Sequence, residues 1–350
     1  MSRRPPTPPL GRLRSSLTAF GALTALVLGL VALTAPAASA SSTKKTTPNL
    51  SGVTITFGDQ FKQYQTIFTA TNALAGAAYT VSWQDFVGGP PIVAAETGGS
   101  VDLGDMTETP TIFAQAAGDP IKVVAVTQSA NPKVSPFDLV VPASSNIKKL
   151  SQLRGQDIGV QEGTIEQYVL IQVLKKAGIP YSAVNLQNLS VVNASAAVSS
   201  GSVAAAVISQ PLTAIDLAGG HIRVLASAAG YTRTLEYLTA SDAALNNPAK
   251  AAAIADFLNR FYKAEAMIRK DPGLAEASYV KIYGVSLAEA KQAATTVQQV
   301  AVPITPAIIS YQQAEANTFL KLGLLTQKLN VKSIFDLPFN KAVNTKAGLT

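Results

Sequence analysis

Two hydrophobic periodicities alternate along the chain from residue 53 onwards. Short runs rich in β-branched residues, closed by glycine or polar residues, predict strands. These strands are predicted at 53–57, 79–83, 121–127, 157–161, 184–189, 204–208, 223–226 and 235–240. Helical patterns lie between them, to about residue 74, over 109–117, to residue 176 and from 211 to 218, and the chain beyond 240 has a helical pattern. Strands that alternate with helices of this length predict an α/β fold with mainly parallel sheets covered on both faces.

Proline positions predict several helix starts in the last third of the chain. An N-cap residue followed by proline at the first helical position is typical of a helix start. Asn247-Pro248, Asp271-Pro272 and Thr305-Pro306 have this arrangement. Each pair is therefore predicted to begin a helix.

The first 40 residues have the order of a secretory signal peptide. Four arginines and no acidic residue precede or flank an uncharged apolar run over 17–33, and Ala38-Ser39-Ala40 provides a cleavage site after Ala40. We therefore predict a signal peptide at 1–40 and a flexible leader at 41–50. The apolar run is at the lower limit for a membrane span, so an uncleaved anchor is the alternative.

The chain contains no cysteine, which excludes disulfides and the lipidated cysteine that tethers many exported binding proteins. The predicted location is therefore the periplasm or the extracellular side of the cell surface, without a lipid anchor. Outside the four arginines of the signal peptide the chain carries 24 basic and 21 acidic residues, and the basic ones are scattered. This distribution gives no support to a nucleic-acid partner.

The single histidine, His221, is a poor metal ligand or general base because no cysteine or second histidine accompanies it. We expect it to face solvent or to lie in a loop. No phosphate-binding glycine loop, metal-ligand spacing or paired-carboxylate motif is present. The sequence therefore predicts no catalytic residue, no metal site and no cofactor.

Three stretches in the first third of the chain carry a family resemblance. They read SWQDFVGGPP at 82–91, GSVDLG at 99–104 and IFAQAAG at 112–118. This region resembles the first lobe of the substrate-binding proteins of bacterial ABC importers for alkanesulfonates, taurine, nitrate and thiamine precursors. The resemblance implies the two-lobed periplasmic-binding-protein type II fold, in which each lobe is a mainly parallel sheet flanked by helices and the ligand cleft lies between the lobes.

The resemblance also implies the domain organisation and the partners. Lobe I would comprise 51–136 and 229–350, and lobe II 137–228, because 235–240 resembles the strand by which such proteins re-enter the first lobe. The protein would be a monomer that captures a small-molecule nutrient, closes about a hinge and delivers the ligand to the permease and ATPase subunits of an ABC importer. An enzyme on the same fold, of the thiamine-pyrimidine synthase or chorismate-dehydratase type, is the alternative. A secreted or anchored interaction protein whose cleft has decayed is a third interpretation.

Candidate ligand-binding residues follow from the positions of the strand ends. In an open α/β sheet the ligand lies beyond the carboxyl ends of the strands, and helix N-termini and glycines there let backbone amides approach it. The residues at these positions are Asp59, Gln60, Phe61, Gly88, Gly89, Asp105, Met106, Thr107, Thr127, Gly163, Thr164, Ile165, Glu166, Ser209 and Gln210.

Some of these residues also have a purely structural interpretation. Gly88 and Gly89 are compatible with a simple turn. Asp59 could cap the first helix, and Thr164 could cap its own helix in a capping box with Gln167. The only tryptophan, Trp83, is more typical of a core residue than of a residue that stacks on a ligand.

Acidic residues stand where sulfonate-binding relatives tend to carry small hydroxyl residues. Asp105, Glu162 and Glu166 lie near the predicted site. Two like unit charges at about 4 Å repel by about 4 kcal/mol at an effective dielectric constant near 20. We therefore expect a neutral, zwitterionic or cationic ligand if any of them faces the cleft. If they face outwards, Glu166 would instead complement the dipole of its helix, and an anionic ligand stays open.

Overall fold

The computed structural model describes residues 48–131, 133–296 and 298–349. The predicted signal peptide and most of the predicted leader lie outside the described residues. Strands β1 to β11 are Thr54–Gln60, Thr80–Phe86, Leu103–Thr107, Ile121–Ser129, Phe137–Pro142, Asp157–Val160, Asn185–Asn188, Ala205–Ser209, Ile222–Ser227, Leu235–Ser241 and Gln299–Val302. Helices α1 to α12 are Gln63–Thr71, Gly89–Thr97, Glu108–Ala117, Ile165–Lys176, Val191–Ser199, Leu212–Ala218, Asp242–Leu245, Pro248–Lys270, Gly273–Tyr283, Leu287–Thr296, Pro306–Lys321 and Leu337–Ala347. None of the described helices is both long and apolar enough to cross a bilayer.

A six-stranded sheet takes strands from both ends of the described chain, in the order β11-β4-β10-β3-β1-β2. β1 pairs in parallel with β2 and β3, whereas β10 runs antiparallel between β3 and β4. β11 also runs antiparallel, along the outer side of β4. The strand predicted at 235–240 is thus β10, which returns the chain to the first sheet.

A five-stranded sheet is formed by the middle of the chain, in the order β7-β6-β8-β5-β9. β6 pairs in parallel with β7 and β8, and β5 runs antiparallel between β8 and β9. Helices flank both sheets. The α/β class predicted from the hydrophobic pattern and the two sheets that the family resemblance implies are confirmed.

An aromatic core covers the first sheet. Phe257 on α8 lies with its ring centroid 5.1 Å from that of Phe57 on β1 and 4.6 Å from that of Phe68 on α1. Trp83 on β2 packs edge-on against Phe57, with centroids 5.3 Å apart. Trp83 is therefore a core residue. The start of α8 is fixed as predicted, because the side chain of Asn247 accepts hydrogen bonds from the first turn.

A second hydrophobic cluster crosses the predicted boundary between the lobes. Phe319 on α11 is fully buried, with its ring centroid 5.8 Å from that of Tyr168 on α4 and 5.1 Å from that of Phe113 on α3. The same cluster contains Phe137 and other residues of the second sheet. Any movement of the two sheets relative to each other has to preserve this contact or slide along it.

Two local features differ from the sequence pattern. The pattern beyond 240 is helical, but Gln299–Val302 forms β11, whose four residues are too few to show an alternation. Pro272, and not Asp271, is the N-cap residue of α9. Asp271 instead accepts a hydrogen bond from the N–H of Gly273, at 3.2 Å, in the turn that precedes the helix.

Candidate functional site

A cavity lies where the carboxyl ends of the strands of the two sheets face each other. The centre of a water molecule can occupy about 60 Å³ of it, and the space free of protein atoms, counting the opening to solvent, is about 690 Å³. The residues that line it are Gln60, Phe61, Gln63, Gly88, Gly89, Asp105, Thr107, Pro110, Pro136, Phe137, Gln161, Thr164, Ile165, Glu166, Val191, Ser209, Gln210, Glu236 and Gln299.

Most of the predicted ligand-binding residues come together in this lining. The members that the strand-end rule identifies are Gln60, Phe61, Gly88, Gly89, Asp105, Thr107, Thr164, Ile165, Glu166, Ser209 and Gln210. They come from both sheets, so a ligand in the cavity would touch both. Their role in binding stays a prediction.

Asp59 and Met106 lie elsewhere. The carboxylate of Asp59 accepts hydrogen bonds from the N–H groups of Tyr64, at 2.9 Å, and Gln65, at 2.7 Å, so it caps the first turn of α1. Met106 is fully buried in a cluster with Ile92 on α2. Neither side chain is part of the cavity lining.

Thr127 and Gly163 are also outside the lining. Thr127 is fully buried on β4, directly opposite Glu236 on β10. Gly163 faces a neighbouring helix, since a Cβ built on it would lie 3.6 Å from the ring of Phe113. Glu162, one of the three carboxylates noted in the sequence, is exposed and does not line the cavity.

Several lining residues do not follow from the sequence rule: Gln63, Pro110, Pro136, Phe137, Gln161, Val191, Glu236 and Gln299. The strand-end rule misses Glu236 and Gln299 for the same reason. They lie near the amino ends of β10 and β11, which run antiparallel to the other strands of their sheet. Their amino ends therefore meet the carboxyl ends of the parallel strands. The sequence signal for Glu236 is its place at the start of the returning strand.

Asp105 is fixed in the floor of the cavity by the neighbouring strand. Its Oδ1 accepts a hydrogen bond from the N–H of Gln60, at 2.8 Å, and its carbonyl oxygen accepts one from Gln60 Nε2, at 3.1 Å. Asp105 is 2% exposed. The carboxylate is therefore desolvated and held in one position.

Three carboxyl groups of the lining have raised pKa values. Burial raises the pKa of Asp105 well above its usual range, and the nearby carboxylates of Asp59 and Glu236 raise it further. Burial raises the pKa of Glu236 to about 8, with smaller contributions from Glu108 and Glu166. Burial also raises the pKa of Glu166. No lysine, arginine or histidine is among the described residues of the lining.

Two helices begin at the cavity with few available N–H donors. Helix α2 begins with Gly89 followed by Pro90 and Pro91, which have no N–H group. Helix α3 begins at Glu108, whose carboxylate accepts its own backbone N–H, and Pro110 in the same turn has none. These helix ends therefore offer little to an anionic ligand.

The start of α4 is also occupied by the chain itself. The carboxylate of Glu166 accepts its own backbone N–H. Gln167 Oε1 accepts the N–H of Gly163, at 2.8 Å, and the hydroxyl of Thr164 donates to the carbonyl oxygen of Gln161, at 2.7 Å. The capping box considered from the sequence is not formed, because Gln167 bonds one residue before the N-cap.

The electrostatic balance of the cavity favours positive charge. A helix N-terminus stabilises an anion by about 0.3–1 kcal/mol, rarely ~2 kcal/mol. One ionised carboxylate at about 4 Å opposes the same anion by about 4 kcal/mol at an effective dielectric constant near 20. With three carboxyl groups in the lining, the carboxylates outweigh the helix ends once they ionise.

Gly88 and Gly89 allow α2 to start against α3. Gly88 has φ 90°, a conformation that favours glycine. A Cβ on Gly89 would lie 2.6 Å from Pro110 Cγ and 3.0 Å from Met106 Cβ. Gly88 and Gly89 therefore form the turn and also line the cavity.

We expect Gly89→Ala to destabilise the fold by about 1–3 kcal/mol, because the added methyl group forces α2 and α3 apart. The measurement is the free energy of unfolding by chemical denaturation. Gly159→Ala is the matched control, since its Cβ would meet Ala194 Cβ at 3.4 Å and no atom closer. Equal stability of the two variants would contradict the expectation.

His221 lies in the turn before β9 and does not line the cavity. Its side chain is 58% exposed, with Nδ1 3.8 Å from Asp216 Oδ1. Among the described residues there is also no group of three or more His, Cys, Asp or Glu placed to hold a metal ion.

The comparisons with known proteins agree with one another. A family model described as NMT1/THI5 like matches residues 90–273. A protein of Escherichia coli (strain K12) named "Putative aliphatic sulfonates-binding protein" is 29% identical over 258 residues, which are 72% of this chain and 78% of that protein. The structure of the periplasmic aliphatic sulphonate binding protein SsuA from Escherichia coli is 25% identical, covers 81% of this chain and 92% of its own, and superposes with a TM-score of 0.70.

The alkanesulfonate-binding protein SsuA from Xanthomonas axonopodis pv. citri, bound to MOPS, has the same fold. The TM-score is 0.75 at 23% identity, with 81% of this chain and 98% of that chain covered. The periplasmic-binding-protein fold expected from the sequence is therefore confirmed.

Proposed function

The chain belongs to the NMT1/THI5-like family, and from this we propose that it is the exported solute-binding protein of an ABC importer. It captures a small organic solute outside the membrane and delivers it to a permease and ATPase. The observation that carries the proposal is the cavity between the two sheets, lined by strand ends of both. Relatives named as sulfonate-binding proteins support the same role.

The ligand-binding residues in this proposal are those of the cavity lining. Polar side chains such as Gln60 and Ser209 orient the solute, while Phe61 and Ile165 contact its apolar part. Catalysis is not part of the proposal. In the described lining no histidine or lysine accompanies the hydroxyl of Ser209 as a general base.

The proposed mechanism is hinge closure of two lobes, 51–136 with 229–350 and 137–228. The proposal is supported by contacts across the cavity. Phe61 packs against a hydrophobic cluster of the second sheet, and a Cβ on Gly88 would lie 3.3 Å from Gln161 Oε1. Because both sheets contribute to the lining, a bound solute would hold the two lobes together.

Small-angle scattering tests this closure on the chain from residue 41. A solute that raises the melting temperature is expected to lower the radius of gyration. Ser209→Trp, which fills the cavity, is expected to abolish both effects. An unchanged scattering profile of the wild type under saturating solute would show that the lobes do not move.

Export is proposed from the signal-peptide pattern of residues 1–40. We expect mass spectrometry of the secreted protein to find an N-terminus near Ser41 and no lipid. The result that contradicts this is a chain beginning at Met1 that only detergent extracts from the membrane.

A further inference from the structure

The lining of the cavity is acidic from three separate elements of the fold. Asp105 lies on β3, Glu236 on β10 and Glu166 in the first turn of α4. Glu236 on β10 pairs with Thr107 on β3. Thr107 lies two residues after Asp105, so Glu236 and Asp105 are on the same face of the sheet. The acidic groups therefore surround one volume from the first sheet and from the second lobe. The part of the lining that the structure describes contains no cationic side chain to neutralise them.

The lining also contains hydrogen-bond acceptors that have no donor as a partner. Gln299 is 3% exposed and lines the cavity, and its Oε1 has no hydrogen-bond partner. The Oε1 atom of Gln210, also in the lining, is likewise buried without a partner. The pKa of Glu236 is raised by burial and by the nearby carboxylates of Glu108 and Glu166, and no hydrogen bond lowers it. Buried acceptors in native proteins are ordinarily paired, so the two amide oxygens indicate a ligand that brings donors.

Few helix N–H groups are available to an anion around the same volume. Pro90, Pro91 and Pro110 remove N–H groups from the first turns of α2 and α3. Glu108 and Glu166 occupy N–H groups of α3 and α4. A sulfonate carries acceptors only and a negative charge, so it does not match the lining once the carboxyl groups are ionised.

We propose that the solute is a small organic cation, whose ammonium, amidinium or guanidinium group lies among the carboxylates of Asp105, Glu166 and Glu236. The inference rests on the proposed function and names the ligand class of that site. The N–H groups of the cation donate to the carboxylates and to the free amide oxygens of Gln210 and Gln299. Its carbon skeleton lies against the apolar part of the lining, which includes Phe61, Phe137, Ile165 and Val191.

A matched series of solutes on one carbon skeleton tests the ligand class. Butylamine, butylguanidine, butanol, butanamide and butanesulfonate differ in charge and in donors but little in apolar surface. Longer and aromatic members of each class extend the series. We expect the largest thermal shifts of the mature protein from cationic members, and affinities are then measured by calorimetry. A largest shift from the sulfonates, alcohols or amides, or no shift from any cation at millimolar concentration, would overturn the proposal.

Isosteric variants test which carboxyl groups bind the cation. We expect Glu236→Gln to weaken binding of the best cation at least about thirtyfold, since it removes one partner of a buried charge pair. Asp105→Asn and Glu166→Gln are expected to act in the same direction. Glu162→Gln is the matched control, because Glu162 is exposed and outside the lining. Equal affinities of the wild type and Glu236→Gln would place the cation elsewhere and contradict the assignment.

Failure of the ligand class and failure of the proposed function give different results. If a sulfonate or a neutral solute binds and lowers the radius of gyration, the solute-binding function stands and the cationic ligand is wrong. If no member of any class binds, both proposals fail. Binding of a cation without compaction would retain the ligand class and reject hinge closure.

Discussion

Raising the pH from about 5 to about 9 is expected to lower the stability of the folded chain by several kcal/mol, because burial disfavours the ionised form of several of its carboxyl groups. Glu96 on α2 shows the effect most clearly. It is 1% exposed, and its carboxylate accepts the hydroxyl of Thr239, at 2.9 Å and 3.0 Å from its two oxygens. Burial raises the pKa of Glu96 to about 8.

The sign follows from the direction of this shift. A carboxyl group whose pKa is higher in the folded than in the unfolded chain stabilises the fold fully below the unfolded pKa. That contribution is lost as the pH rises through the folded value. For Glu96 the window runs from the ordinary value of 4.5 to about 8. At about 1.4 kcal/mol per pKa unit, this one group contributes on the order of 3–5 kcal/mol.

Other buried carboxyl groups act in the same direction. Burial raises the pKa of Asp59, Glu108 and Glu265 to about 7. The measurement is the melting temperature and the free energy of unfolding across this pH range. Glu96→Gln, which keeps the size and an oxygen for Thr239, is expected to reduce the loss between the two pH limits. Exposed Glu162→Gln is expected to leave it unchanged. A wild type that is as stable at the alkaline limit as at the acidic one would contradict the expectation.

The fold could be predicted from the sequence because its signals are local. The strands at 121–127 and 204–208 are short apolar runs between polar breaks, and they appear as Ile121–Ser129 and Ala205–Ser209. Asn247 and Thr305 cap α8 and α11 as expected, since a cap depends only on the next few residues. By contrast, β11 is stabilised by pairing with β4, a partner far away in the sequence.

The candidate site could be predicted only where the direction of a strand was known. Gln60 and Asp105 follow from the rule that ligands lie beyond the carboxyl ends of parallel strands. Glu236 does not, because β10 runs antiparallel and presents its amino end to the cavity. The strand-end position of Asp59 and Met106 did not show which way each side chain points. Asp59 caps α1 and Met106 packs under α2.

The last expected result concerns how pH controls ligand binding, and it separates a cationic from an anionic ligand. The groups that face Glu236 are Asp105 on β3, Glu108 at the start of α3 and Glu166 at the start of α4, all acidic. Burial raises the pKa of Glu236 to about 8, so its carboxyl group is mainly protonated at neutral pH before a ligand binds. A cation favours the ionised form and therefore displaces the proton on binding.

We expect the affinity for an alkylguanidine, which stays charged throughout, to rise on the order of tenfold per pH unit from pH 6 towards 8 and then to level off. Calorimetry at neutral pH in buffers of different ionisation enthalpy is expected to detect proton release on binding. Glu236→Gln is expected to weaken the binding and to flatten the pH dependence together, whereas a purely structural effect would lower the affinity equally at every pH. An affinity that falls with rising pH, accompanied by proton uptake, is the behaviour of an anion bound by protonated carboxyl groups and would exclude the cationic ligand.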